Sequence, residues 1–131
     1  MILLKNSARN LTYIYIVALF LVSMLPINGK DSAINKIYFT SAEIRLDYLL
    51  HSILLVPWMP LRILYEKTSR SVIFQWLSMG MMLAVSVEAV QYILPYRTYN
   101  IIDLLANIIG VFIGLLLWTA INYLLSMYKL N

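Results

Sequence analysis

Four apolar runs, Leu11–Ile27, Leu46–Tyr65, Ser71–Leu94 and Ile101–Ser126, fill most of this chain of 131 residues. A helix needs about 20 mostly apolar residues to cross a bilayer, and it must satisfy every backbone polar group within itself because no water reaches it there. Each run approaches or meets that length. The pattern therefore predicts an all-α fold, an integral membrane four-helix bundle with antiparallel spans. Composition agrees: 62% of the residues are hydrophobic and 12% charged, with a mean hydropathy of +0.79. A soluble domain of this size would present too much of that apolar surface to water. Cysteine is absent, which excludes a disulfide frame and a thiolate metal site. Without internal repeats, low-complexity tracts or a flexible linker, residues 1–131 read as one membrane domain.

The ends of the runs carry their own signals. Lys5 and Arg9 precede the first apolar core as in a secretory leader, but no small-residue cleavage site follows Leu25, so an uncleaved anchor ending near Pro26 and Gly29 is expected. Thr40 and Glu43 have capping-box spacing, which predicts that the second helix begins ahead of its apolar run. Pro57 and Pro60, in "VPWMP", predict a kink whose freed carbonyls are taken up by neighbouring helices. Pro95 ends the third span, and Asn100 is the candidate N-cap of the fourth. So short a connection makes spans three and four antiparallel neighbours.

The net charge of +4 comes from ten basic residues scattered between apolar runs, which excludes the basic patch expected of a nucleic-acid-binding surface. Their distribution predicts topology instead. With four spans, Lys5, Arg9, Arg62, Lys67, Arg70 and Lys129 share one side, and Lys30, Lys36, Arg45 and Arg97 the other. The excess and the tight trio after span two predict cytoplasmic termini. Tyr92, Tyr96 and Tyr99 then suit an outer interfacial belt, and Tyr65, Tyr123 and Tyr128 an inner one.

Polar residues interrupt this pattern in one zone. Glu88 and Gln91 are three apart on span three, about 9 Å and about 5 Å below its outer end at a rise of about 1.5 Å per residue. Asp103 and Asn107 are four apart on span four, and Gly110 and Gly114 continue their stripe. Asp47 and His51 are four apart on span two, and Arg97 lies in the turn between spans three and four. Three helices therefore bring polar pairs to the same outer third of the membrane. An ionisable group inside a span is costly, about 2.5–3.5 kcal/mol for Asp on insertion scales, and so tends to face the bundle interior.

Every member also has a plainer role. Gly110 and Gly114 form a small-residue packing face, expected to close spans three and four. Gln91 and Asn107 can serve as interhelical glue, and Asp103 complements a helix N-terminus. Arg97 can be an interface anchor and His51 a satisfied packing histidine. Asp47, His51, Glu88 and Asp103 are chemically able to bind a metal, but no fixed-spacing signature accompanies them, so neither a metal nor a cofactor is expected. Ser52, Ser78 and Ser86 lack a nucleophile elbow, and there is no phosphate-binding loop.

The ordered series Glu88-x-x-Gln91, Arg97, Asp103-x-x-x-Asn107-x-x-Gly110-x-x-x-Gly114 resembles the signature of the VanZ-like membrane proteins, relatives of the teicoplanin-resistance protein VanZ. "DYLLHSILLVPWMP" resembles that family's second span, with Asp47, His51 and Pro57 at its marked places. The resemblance covers Asp47 to Gly114. Tyr48 stands where many members have Lys, and Met59 where many have Gly, so the second span departs from the family pattern at these two places.

The resemblance implies a bacterial cell-envelope protein contributing to resistance against teicoplanin, a lipid-tailed glycopeptide that blocks cell-wall synthesis. The leading expectation is an outward-facing polar pocket in which Asp47, His51, Glu88, Gln91, Arg97, Asp103 and Asn107 bind a lipid or cell-wall-related head group. The partners are then membrane lipids and a lipid-linked cell-wall precursor or lipoglycopeptide antibiotic. Two other readings stay open: a small membrane enzyme using His51 with Glu88 or Asp103 on a lipid-linked substrate, and a polar core with only a structural role. A binding protein is favoured over an enzyme, and transport is disfavoured by four spans without repeats.

Overall fold

A computed structural model describes residues 2–25, 36–39, 42–65, 69–95 and 100–128, and for 2–5 and 36–47 the backbone only. Helix α1 covers Ile2–Met24. A hairpin of β1 (Lys36–Phe39) and β2 (Ala42–Arg45) leads into α2 (Leu46–Leu55), which continues as 3-10 turns at Val56–Trp58 and Pro60–Leu64. Helices α3 (Arg70–Ile93) and α4 (Ile101–Tyr128) complete the bundle. Three helical stretches, Asn6–Met24, Arg70–Ile93 and Ile101–Tyr128, are long and apolar enough to cross a membrane. The fold is an all-α bundle carrying one small hairpin.

Buried polar side chains and exposed large apolar ones occur together here for a physical reason. Phe74, Met82, Ile93 and Leu116 are exposed, while Glu88, Gln91, Asp103 and Asn107 are buried. In lipid, apolar groups gain little from leaving the surface, so packing and interhelical hydrogen bonds hold helices together. The buried apolar core is compact: Leu19, Leu55, Trp58, Met59, Ala84, Val87, Val111 and Trp118.

Several element boundaries differ from expectation. Helix α1 begins at Ile2 rather than Leu11, because the polar residues of its first turns are helical although not apolar. Pro26 and Gly29, its expected stop, lie outside the described residues. The capping box does not form: Glu43 lies in β2, where it pairs with Tyr38, and α2 starts at Leu46. Thr40 itself lies outside the described residues. Here the strand pairing, visible only once both segments meet, outweighs the local cap. Helix α3 has a cap the sequence reading missed, the Ser69 hydroxyl accepting from the Val72 N–H at 3.3 Å.

The second span is not one kinked α-helix. Its α-helical part ends at Leu55 and 3-10 turns follow, with the Arg62 N–H bonded to the Met59 carbonyl and the Tyr65 N–H to the Arg62 carbonyl. Pro57 and Pro60 remove two donors from a short stretch, which the α ladder does not survive. A 3-10 turn rises about 2.0 Å per residue against about 1.5 Å, so the segment keeps much of its reach.

Neighbouring side chains re-satisfy the broken stretch, as membrane burial requires. The Tyr15 hydroxyl of α1 donates to the Leu54 carbonyl at 2.7 Å. The Trp76 indole of α3 donates to the Trp58 carbonyl at 2.9 Å, and the Trp58 indole returns the bond to the Trp76 carbonyl at 2.8 Å. The two rings stack at 4.5 Å and 9°. Gly80 makes room for Trp58: a Cβ there would lie 2.7 Å from its Cδ1.

Candidate functional site

Gly110 and Gly114 set the geometry of the polar zone, through a different interface from the one expected. A Cβ on Gly110 would stand 2.1 Å from the Ser52 carbonyl oxygen, and one on Gly114 would stand 2.3 Å from that of Val56. The glycine stripe therefore closes α4 against α2 and its continuation, not against α3. Ser52 opposes Gly110 and Val56 opposes Gly114, so α2 and α4 run parallel in register. Each missing Cβ leaves a Cα hydrogen facing a carbonyl, an arrangement that supports close helix approach. This seam brings His51, one residue before Ser52, to the level of Asn107.

Glu88 of α3 completes the group. The Asn107 amide donates to Glu88 Oε1 at 3.1 Å, and His51 Nδ1 lies 3.8 Å from the same oxygen. All three side chains are buried, Glu88 and Asn107 to 1% exposure and His51 to 3%. The His51–Glu88 distance suits an electrostatic contact and exceeds a hydrogen bond. A histidine, a carboxylate and an amide from three helices thus share one buried point.

Gln91, one turn from Glu88, turns elsewhere. Its amide donates to the Ser23 carbonyl of α1 at 2.9 Å, tying the end of that helix to α3. Asp103 is buried at the start of α4, where its Oδ1 accepts from the Asn100 side-chain amide at 3.2 Å. Asn100 is the predicted N-cap: its Oδ1 accepts from the Ile102 N–H at 3.1 Å. The Tyr48 hydroxyl approaches Asn100 Nδ2 at 3.5 Å and links α2 to this cap.

The predicted residues therefore divide. His51, Glu88 and Asn107 meet directly; Gln91 and Asp103 extend the zone toward α1 and the α4 cap. Asp47 lies in the first turn of α2, but its side chain falls outside the described residues, as does all of Arg97. Among the described residues, no three His, Cys, Asp or Glu side chains are grouped to hold a metal ion. Sequence reading missed Ser23 and Tyr48 as members of the network, and it named Asn100 as a cap without its bond to Asp103. Ser23 takes part through its backbone carbonyl, which no motif reveals. Tyr48 was visible as the residue in place of the family's Lys.

The family model described as VanZ/LLP1 matches residues 8–122. Comparison with curated proteins and with solved structures found no match.

Proposed function

This chain belongs to the VanZ/LLP1 family, and from that premise we propose that it works in the bacterial cytoplasmic membrane by binding the polar head of a lipid-linked molecule at its Glu88 centre. One observation carries the proposal: Glu88, 1% exposed within the bundle, meets Asn107 of α4 and His51 of α2. An ionisable residue at membrane depth is costly, so its presence points to function by default. In this reading the termini are cytoplasmic and the centre lies toward the outer face. Arg97 contacts the phosphate or carboxylate of the ligand through its planar fork, and Asp47 and Asp103 take part in holding the head group. Gln91 and Asn107 orient the head group. The ligand class is a lipid-linked cell-wall precursor or a lipoglycopeptide such as teicoplanin, and occupation of the centre lowers the antibiotic's access to its target.

Teicoplanin susceptibility of a deletion strain and of Arg97→Ala, with membrane abundance measured alongside, tests this reading. Raised susceptibility in both at normal Arg97→Ala abundance is the expected result. An unchanged deletion strain removes the resistance role. Glu88→Gln separates binding from packing, since glutamine can still accept from Asn107. Loss of phenotype that merely tracks abundance would make the centre a structural core.

The His51–Glu88 contact at 3.8 Å favours a second reading, a membrane enzyme in which that pair moves a proton on a lipid-linked substrate. It predicts that purified His51→Ala folds normally yet loses turnover of the lipid-linked precursor. Binding without turnover in the wild-type protein sinks it.

A further inference from the structure

A different polar group lies at the opposite end of the bundle. Arg62 sits in the second 3-10 turn and is 3% exposed. Its Nη1 donates to the Tyr65 carbonyl at 2.8 Å, and its Cζ lies 5.5 Å from the centre of the Tyr65 ring. Its Nε is buried without an acceptor, and of its own three guanidinium nitrogens Nη1 alone has a hydrogen bond to a described residue. No described carboxylate pairs with it. A topology signal needs only a charge in the interface, where Lys and Arg stay hydrated. Arg62 is instead withdrawn from water and held.

The holding is itself built. The Tyr65 hydroxyl shares a 2.9 Å hydrogen bond with Thr12 of α1, whose hydroxyl is also within 3.0 Å of the Ala8 carbonyl. The Tyr65 ring packs on Trp76 at 5.4 Å. Tyr65 is thus fixed from two helices, and it fixes Nη1 in turn. What remains of the guanidinium is the Nε–Nη2 edge, which presents two parallel donors matched to two oxygens of a phosphate. Since α2 and α4 run parallel and Tyr65 meets the first half of α1, this is the end of the bundle that carries both termini.

We infer that Arg62 is a phosphate-binding residue, which takes the phosphate of a phospholipid head group on its Nε–Nη2 edge at the terminus-bearing end of the bundle. A buried cation with no paired carboxylate among the described residues is costly, and a phosphate at the bilayer interface supplies that counter-charge. The long stem of arginine keeps its methylenes in the protein, and the phosphate approaches from the Nη2 side, Nε being the buried end of the edge. The inference stands apart from the Glu88 centre and survives if that reading fails.

The test is thermal unfolding of the detergent-purified full chain titrated with phosphatidylglycerol, a phosphate-free neutral glycolipid, or inorganic phosphate. The wild-type protein is expected to be stabilised by phosphatidylglycerol and not by the glycolipid. Arg62→Met, which buries a similar stem without charge, should weaken that response about tenfold, as for one lost charge-assisted bidentate contact. Arg62→Lys should fall between them, keeping the charge and losing the fork. Equal stabilisation by inorganic phosphate assigns the site to a soluble phosphate rather than a lipid. An equal response to glycolipid and phosphatidylglycerol, or an unaltered response in Arg62→Met, overturns the proposal. Should Arg62→Met not fold, the wild-type and Arg62→Lys titrations decide it.

Discussion

Asn107 donates its amide to Glu88 across the α3–α4 interface at 3.1 Å, with both side chains 1% exposed. Both groups are buried in the bundle, where lipid offers no hydrogen bonds to replace this one. Asn107→Ala should destabilise the protein by about 1–3 kcal/mol, the cost of stranding a buried acceptor. In a double-mutant cycle with Glu88→Ala, the two changes should cost less together than their separate effects imply. Additive effects in detergent unfolding would show that the pair is not coupled.

Gly110→Ala and Gly114→Ala should each disturb α2–α4 packing, since the new methyl meets a backbone carbonyl rather than a movable side chain. A loss of about 1–3 kcal/mol or more is expected for such overpacking. Thermal unfolding measures it. A melting temperature within error of wild type for both variants would contradict the parallel seam.

The two indoles predict a symmetrical effect. Trp58→Phe and Trp76→Phe retain much of the stacked pair, yet each removes the one N–H that reaches the opposite carbonyl. Each should cost about 0.5–1.5 kcal/mol, more if the stranded carbonyl finds no water. Ala at Trp58 should cost about 3–5 kcal/mol, because the ring is fully buried. Equal stability of the Phe and Ala variants would rule out the packing role.

Gln91→Leu cuts the bond to the Ser23 carbonyl while preserving bulk. The end of α1 should loosen locally, and amide hydrogen exchange there should rise by about three- to tenfold for a lost hydrogen bond of about 1 kcal/mol. Exchange in the Trp118 region of α4 should not move. Uniform acceleration across all helices would show global destabilisation instead.

Sequence alone determined the class of this protein and the zone to inspect. Apolar runs of membrane length dictate helices, because lipid tolerates no unpaired backbone, and the polar residues stand out against them at helical spacing. Asn100 was legible as a cap, since an N-cap is a local event. Tertiary structure alone decided which helices meet. The glycine spacing announces a close approach but not its partner, and here the partner is α2, through the Ser52 and Val56 carbonyls. Two prolines signal disruption, but only packing decided between a kinked α-helix and 3-10 turns clasped by Tyr15, Trp58 and Trp76. The capping box lost to a competing local pairing, since Glu43 pairs with Tyr38 in the adjacent strand of a hairpin that the apolar pattern does not announce. Likewise, Glu88 was marked by its chemistry, while its meeting with Asn107 and His51 depended on three helices packing at one depth.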